Sequence, residues 1–304
     1  MLRIAARRLA LAPLTLLLVS FVTFVLLRVT GDPVDIFLDI NRTPEQVEAL
    51  RQRLHLDQPL VVQYLIYVRD LLTGDFGQSL QYGGPAINAV IPTIVPTLQL
   101  VGLALLLAVV LGVAAGFVAA VYKDKVPDVV LSSLAVVGQS MPSFWLGILL
   151  IQFFSLRLQW LPTSGRGGWE NLVLPSLTLA AFLLPNFMLV TRTAILDLMS
   201  EQFVQTARAK GLSFTRILLT HIFPNMVNPL LSFLGIQIGT LVGGSIITES
   251  IFGWPGIGRL MIGAVANRDV PVVLVTVFIV SVTIIIANLL VDILQSIVDP
   301  RVRQ

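Results

Sequence analysis

Six runs of about 20 apolar residues constrain this chain most, because a run of that length matches the hydrocarbon thickness of a bilayer. They predict membrane helices at roughly 9–29, 96–121, 129–156, 172–192, 228–250 and 271–295. Of 304 residues, 56% are hydrophobic and 12% charged, half the roughly 25% charge of a soluble domain. Arg3, Arg7 and Arg8 precede the first run, as in a secretory signal. Its apolar stretch, Leu9 to Leu27, exceeds a usual signal core, and no small-x-small cleavage pattern follows, so a retained helix is expected. There is no cysteine, which excludes disulfides and thiolate metal sites. The two histidines, His55 and His221, stand far apart in sequence, which argues against a histidine-rich metal site. The net charge of +3 is accounted for by arginines near membrane ends and calls for no nucleic-acid partner.

Lysine and arginine in short loops set the expected direction. One side carries Arg3, Arg7, Arg8, Lys123, Lys125, Arg192, Arg208, Lys210, Arg216, Arg301 and Arg303; the other carries Arg157, Arg166, Arg259 and Arg268. Both termini, the 122–128 turn and the segment 193–227 are therefore expected in the cytoplasm, and the long segment 31–95 outside. That segment has soluble-helix grammar. Thr43-Pro44-Glu45-Gln46 reads as a capping box with proline at the first helical position, and Val47, Leu50 and Leu54 then share a face. Pro59 opens a second, apolar-rich helix that Gly74 can close. The segment is too short for a domain of its own and is expected to cap the membrane part.

The polar island Glu201 to Pro224, EQFVQTARAKGLSFTRILLTHIFP, interrupts the apolar pattern. It reads as helix, glycine, short break and second helix. Gly211 suits the left-handed position after a helix, where a β-carbon costs about 1–2 kcal/mol. Ser213 can cap the next helix, and Phe214, Leu218 and Ile222 recur every four residues as an apolar stripe. Ala207 and Ala209 permit close approach, while Arg208 and Lys210 can pair with a partner's acids. These features alone fit either docking of a soluble partner or a loop resting on headgroups.

The order Thr206-Ala207-Arg208-Ala209-Lys210-Gly211-Leu212-Ser213, followed by His221 and Pro224-Asn225, resembles the EAA loop of binding-protein-dependent ABC importer permeases. The whole chain resembles the first permease subunit of the dipeptide, oligopeptide, nickel and glutathione importer group. The supporting segments include Gly31-Asp32-Pro33, Leu56-Asp57-Gln58-Pro59-Leu60, Gly74-Asp75-Phe76-Gly77 with Ser79, and Ser140-Met141-Pro142-Ser143-Phe144-Trp145. Later come Trp160-Leu161-Pro162, Phe252-Gly253-Trp254-Pro255-Gly256-Ile257-Gly258, Arg268-Asp269-Val270-Pro271, Asn288-Leu289-Leu290-Val291-Asp292 and Asp299-Pro300-Arg301. Two departures are Phe223-Pro224-Asn225, where the family often has an arginine before the asparagine, and His55, where it usually has glycine.

The resemblance implies an all-α polytopic fold: a first helix within 1–30, an external segment 31–95, and a type I ABC importer core over 96–304. It implies a coupling loop with Glu201 and Thr206 to Ser213 as contact residues. It also implies a second homologous permease, two ATP-binding subunits, an extracytoplasmic substrate-binding protein and a bacterial or archaeal inner membrane. ATP and magnesium would bind the partner subunits, and no cofactor this chain. The residues agree independently, since a phosphate-cradling loop needs a lysine after glycine and none of Lys123, Lys125 or Lys210 has one. The expected cargo is peptide, with a nickel chelate or glutathione as the alternative. An ion-driven transporter would want mid-membrane carboxylates, whereas Glu249 and Asp292 lie near span ends.

Polar residues inside the spans are candidate pathway lining: Gln139, Ser140, Asn186, Gln237, Thr240 and Asn288. An unpaired polar group in hydrocarbon costs several kcal/mol, so each should face protein or water. Pro142 and Pro185 remove helix hydrogen bonds beside three of them. Asp292 is expected to pair with a nearby cation. Trp254 reads as an interfacial anchor. Gly112 and Gly116 are expected to pack helices within the chain; Gly235, Gly239 and Gly243 fit internal packing or a subunit seam equally.

Overall fold

The computed structural model describes residues 2–30, 44–53, 56–79 and 81–298. Its helices are α1 (Leu2–Thr30), α2 (Pro44–Arg53), α3 (Leu60–Thr73), α4 (Ala86–Val121), α5 (Val126–Ser140), α6 (Ser143–Arg157) and α7 (Glu170–Ser200). The polar island supplies α8 (Gln202–Ala209) and the start of α9 (Phe214–Ile251); α10 (Ile257–Ala266) and α11 (Val270–Val298) follow. Among the described residues, five helices are long and apolar enough to cross a bilayer, and α5 and α6, bent by 102° to each other, have the length and composition of a sixth only when taken together. The expected single helix 129–156 is thus broken. Pro142 lacks an N–H and pushes the preceding residue to extended backbone. Met141 stands at φ −81°, ψ 128°, and α6 restarts at Ser143.

The other spans run past their expected ends. α4 starts ten residues before 96 and carries Pro92 and Pro96 inside it. The Pro96 carbonyl accepts the Trp254 indole N–H at 2.9 Å, so a neighbour takes up a backbone group beside the interruption. α4 and α7 form the centre of the molecule. Leu100, Ala104 and Ala108 of α4 meet Leu179, Ala180, Leu183 and Phe187 of α7, with Leu241 and Trp254 completing a buried core. Two glycines set this approach. A β-carbon on Gly112 would lie 2.7 Å from the Phe187 β-carbon, and one on Gly116 2.7 Å from the Thr191 β-carbon. Both therefore pack helices within the chain, as their spacing suggests. Asp128 at the start of α5 is clamped to α7 by Arg192, whose Nε and Nη2 donate to its two oxygens at 2.6 and 2.7 Å.

α1 packs along α11, joined by Leu27 at one end and an Arg8–Asp292 ion pair at the other. The latter is the structural pair expected of Asp292. α3 ends at Gly74, φ +83°, whose N–H reaches the carbonyls of Asp70 and Leu71. A two-stranded antiparallel hairpin, β1 (Gln78–Ser79) and β2 (Gly84–Pro85), leads into α4. α2 begins at Pro44 as expected. Thr43, Leu54, His55, Gly31-Asp32-Pro33 and the 299–304 tail lie outside the described residues.

Candidate coupling loop and pathway face

The polar island is built as a packed platform. α7 stops at Ser200, and Glu201 turns to extended backbone, φ −68° and ψ 148°, where its carbonyl accepts the N–H groups of Val204 and Gln205. α8 then closes in a left-handed cap. Gly211 sits at φ +76°; its N–H bonds the Arg208 carbonyl at 2.9 Å, and the Leu212 N–H bonds the Ala207 carbonyl at 3.2 Å. This paired pattern is the Schellman motif, which only a residue tolerant of positive φ accommodates cheaply. Val204, Ala207, Ile217, Leu218, Ile222 and Met226 are buried against Ala120 of α4 and Ile195 of α7. The loop is therefore bolted to the ends of the two central helices.

Three details differ from the sequence expectation. Ala207 faces inward, into that cluster, so Ala209 is the small residue left on the open face. Phe214 lies one turn beyond the platform and is 44% exposed; Ile217 takes its place in the buried stripe. Ser213 occupies the N-cap, but its hydroxyl makes no capping bond, and its carbonyl accepts the Ile217 N–H instead. A π-helical turn spans Leu218–Ile222, just before Pro224, whose ring cannot follow an ordinary helical turn. The resulting open face presents Phe203 and Phe214 beside Arg208, Lys210 and Arg216, with Glu201 and Thr206 also exposed. Aromatic rings flanked by cations suit an acidic, partly apolar protein surface.

The six pathway candidates fall in two places. Gln139 donates from Nε2 to Asn186 Oδ1 at 2.9 Å, and Ser140 bonds its own helix at Val136. These three stand at the α5–α6 break, where Pro185 of α7 faces Gly138. On the other side, Asn288 lines a groove of about 410 Å3 between α9 and α11 with Arg8, Ser232, Gly235, Gly239 and Asp292. Thr240 is exposed on the same α9, whereas Gln237 is buried against protein. The glycine ladder divides. Gly235 packs on Val291 of α11; a β-carbon on Gly239 or Gly243 would meet nothing within 4 Å.

A third constellation was not legible in the sequence. Glu249 of α9 is 0% exposed. Its Oε1 accepts the Thr97 hydroxyl at 2.7 Å and its Oε2 the Arg259 N–H at 3.0 Å, while Thr97 accepts the Ile257 N–H at 2.8 Å. The side-chain oxygens of Glu249 and Thr97, from two spans, thus take up the N–H groups that open α10. Gly256 and Gly258 leave the room: a β-carbon on Gly258 would lie 2.6 Å from the Ile246 Cα and 2.9 Å from Glu249 Oε2. Trp254 is buried in the core rather than anchoring at an interface, a correction that follows from its bond to Pro96. Asp269 similarly accepts Ser79 Oγ at 2.6 Å, tying the hairpin to the start of α11. The density of glycine in Phe252–Gly258 was the available signal for close packing; the partner 152 residues away was not.

Comparison with known proteins agrees with this architecture. Residues 112–304 match the model of the binding-protein-dependent transport system inner membrane component, and residues 1–86 match its membrane component N-terminal family. The chain is 40% identical over 298 residues to the glutathione transport system permease protein GsiC of Escherichia coli strain K12, covering 98% of this chain and 97% of that protein. It is 41% identical over the same span to GsiC of Salmonella typhi. Among solved structures, an inward-facing conformation of the MetNI methionine ABC transporter aligns at TM-score 0.56 and 18% identity, covering 70% of this chain and 97% of that one. The last likeness concerns the fold alone. The chain belongs to the binding-protein-dependent transport system inner membrane component family and is a non-catalytic, multi-pass permease subunit of an ABC importer.

Proposed function

We propose that this permease carries small peptides, glutathione included, inward across the membrane, driven by ATP hydrolysis on separate subunits. The observation that carries the reading is near-complete coverage at 40% identity by a glutathione permease. The amides and hydroxyls at the α5–α6 break and along α9 and α11 suit a zwitterionic peptide, which needs hydrogen bonds more than one fixed countercharge. The two carboxylates an ion-driven carrier would call on are spoken for, Glu249 as a helix cap and Asp292 in its pair with Arg8.

In this reading a second homologous permease completes the pathway, two ATP-binding subunits hold ATP and magnesium, and a binding protein delivers cargo from outside. Both termini and the loop 193–227 face the cytoplasm. Closure of the ATPase pair pushes α8 and the start of α9. Because that platform is seated on α4 and α7, the push is passed to the core rather than absorbed by a floppy loop. The α5–α6 break and the open glycine face of α9 then move, exposing the pathway outward. The assay is uptake of glutathione and of di- and tripeptides into proteoliposomes. It should require ATP and all partners, and persist when ionophores collapse ion gradients. Uptake by this chain alone, or uptake lost with the ion gradient while ATP remains, overturns the proposal.

A further inference from the structure

α3 belongs to the segment the sequence places outside the membrane, yet its contacts lie at membrane depth. Tyr64 Oη donates to the Leu17 carbonyl of α1 at 2.8 Å and lies 2.9 Å from Ser20 Oγ. Its ring meets Phe21 edge-on at 5.0 Å, and Tyr67 stacks on Phe24 at 5.8 Å. The apolar run of α1 ends at Val29, five residues beyond Phe24 and twelve beyond Leu17. At 1.5 Å per residue, these contacts fall about 7–18 Å inside that end.

The free side of α3 is the wrong chemistry for water. Val61, Leu65 and Leu72, four and seven residues apart, share one stripe and are 65%, 60% and 80% exposed. Its charges, Arg69 and Asp70, pair with each other at 2.8 Å, and the arginine stem is long enough to lift the head toward the surface. At the helix entry, buried Gln63 donates from Nε2 to the Gln58 carbonyl at 2.8 Å and so fixes the turn that leads into α3. The partner helix α1 likewise exposes apolar side chains, Phe21 at 43% and Val22 at 48%, within a stretch long and apolar enough to cross a bilayer.

We propose that α3 is an interfacial membrane helix, sunk in the leaflet at the Val29 end of α1, with Val61, Leu65 and Leu72 among lipid acyl chains. Tyr64 and Tyr67 key it to α1 at fixed depth. It would hold the segment between the first two crossings at the membrane surface rather than free above it.

The chain contains no cysteine, so single-cysteine variants each report one position. The complete importer carrying L65C, L72C or Q81C is reconstituted in phosphatidylcholine–phosphatidylglycerol vesicles and given a nitroxide or a membrane-impermeant maleimide. L65C and L72C should collide more with oxygen than with a water-soluble nickel chelate, and react with the maleimide roughly tenfold more slowly than Q81C. Chelate access and maleimide rates equal to those of Q81C would place α3 in water and overturn the proposal. Protection of L65C that vanishes when the permease is reconstituted without its partners would overturn it in favour of a protein-covered face.

Discussion

Removing the Glu249 carboxylate is expected to loosen the junction of α4, α9 and α10 far more than its position near a helix end suggests. In Glu249→Ala, the Thr97 hydroxyl and the Arg259 N–H both lose their acceptor in a fully buried site. Each orphaned buried donor costs about 1–3 kcal/mol. The sum is about 3–5 kcal/mol once partial rearrangement is allowed. At 2–4 °C per kcal/mol for a chain of this size class, the midpoint should fall by roughly 10 °C. Glu249→Gln keeps one acceptor but turns an amide donor toward other donors, and should lose less. Thr97→Ala breaks the same network, so the double variant should cost well under the sum of the singles. The assay is the fraction of monodisperse protein surviving a temperature series in detergent, read by gel filtration. An unshifted midpoint for Glu249→Ala, or strict additivity with Thr97→Ala, would refute the capping account.

Other consequences follow from the same geometry. Gly116→Leu should disrupt the α4–α7 seam, costing about 1–3 kcal/mol or more, whereas Gly243→Ala should be near neutral because nothing stands where its β-carbon would go; the two separate in the same melting assay. Asp128→Ala leaves the bidentate Arg192 without its acceptor and should cost about 1–3 kcal/mol, with Arg192→Lys recovering only part of the clamp because one ammonium cannot reproduce the fork. Under the proposed orientation, an impermeant maleimide added to intact spheroplasts should label Q81C and spare A209C until the membrane is opened; the reverse order of labelling would invert the topology.

What the chain discloses before folding is uneven, for physical reasons. Gly211 and Gly74 were legible because a left-handed helix cap is a local requirement of the backbone, and both take positive φ. Gly112 and Gly116 were legible because four-residue spacing puts both on one helix face. The direction of Ala207 and Phe214 was not, since a stripe read every four residues cannot say how far the supporting platform extends. Pro142 signalled a broken helix beside Gln139, but not a bend of 102°, which the packing of both halves on α7 determines. Trp254 looked like an interfacial anchor because its acceptor, the Pro96 carbonyl, stands 158 residues earlier. Glu249 failed for the same reason: a cap assembled from two spans has no period in the sequence.

The measurement closest to the centre of the account is uptake per ATP hydrolysed by the reconstituted importer carrying Gly211→Val. No neighbouring atom lies within 4 Å of the new β-carbon, so the substitution strains only the left-handed turn between α8 and α9. Hydrolysis should continue while uptake collapses, with Gly211→Ala between the two. Full uptake at the normal ratio in Gly211→Val would show that the force does not enter through this turn.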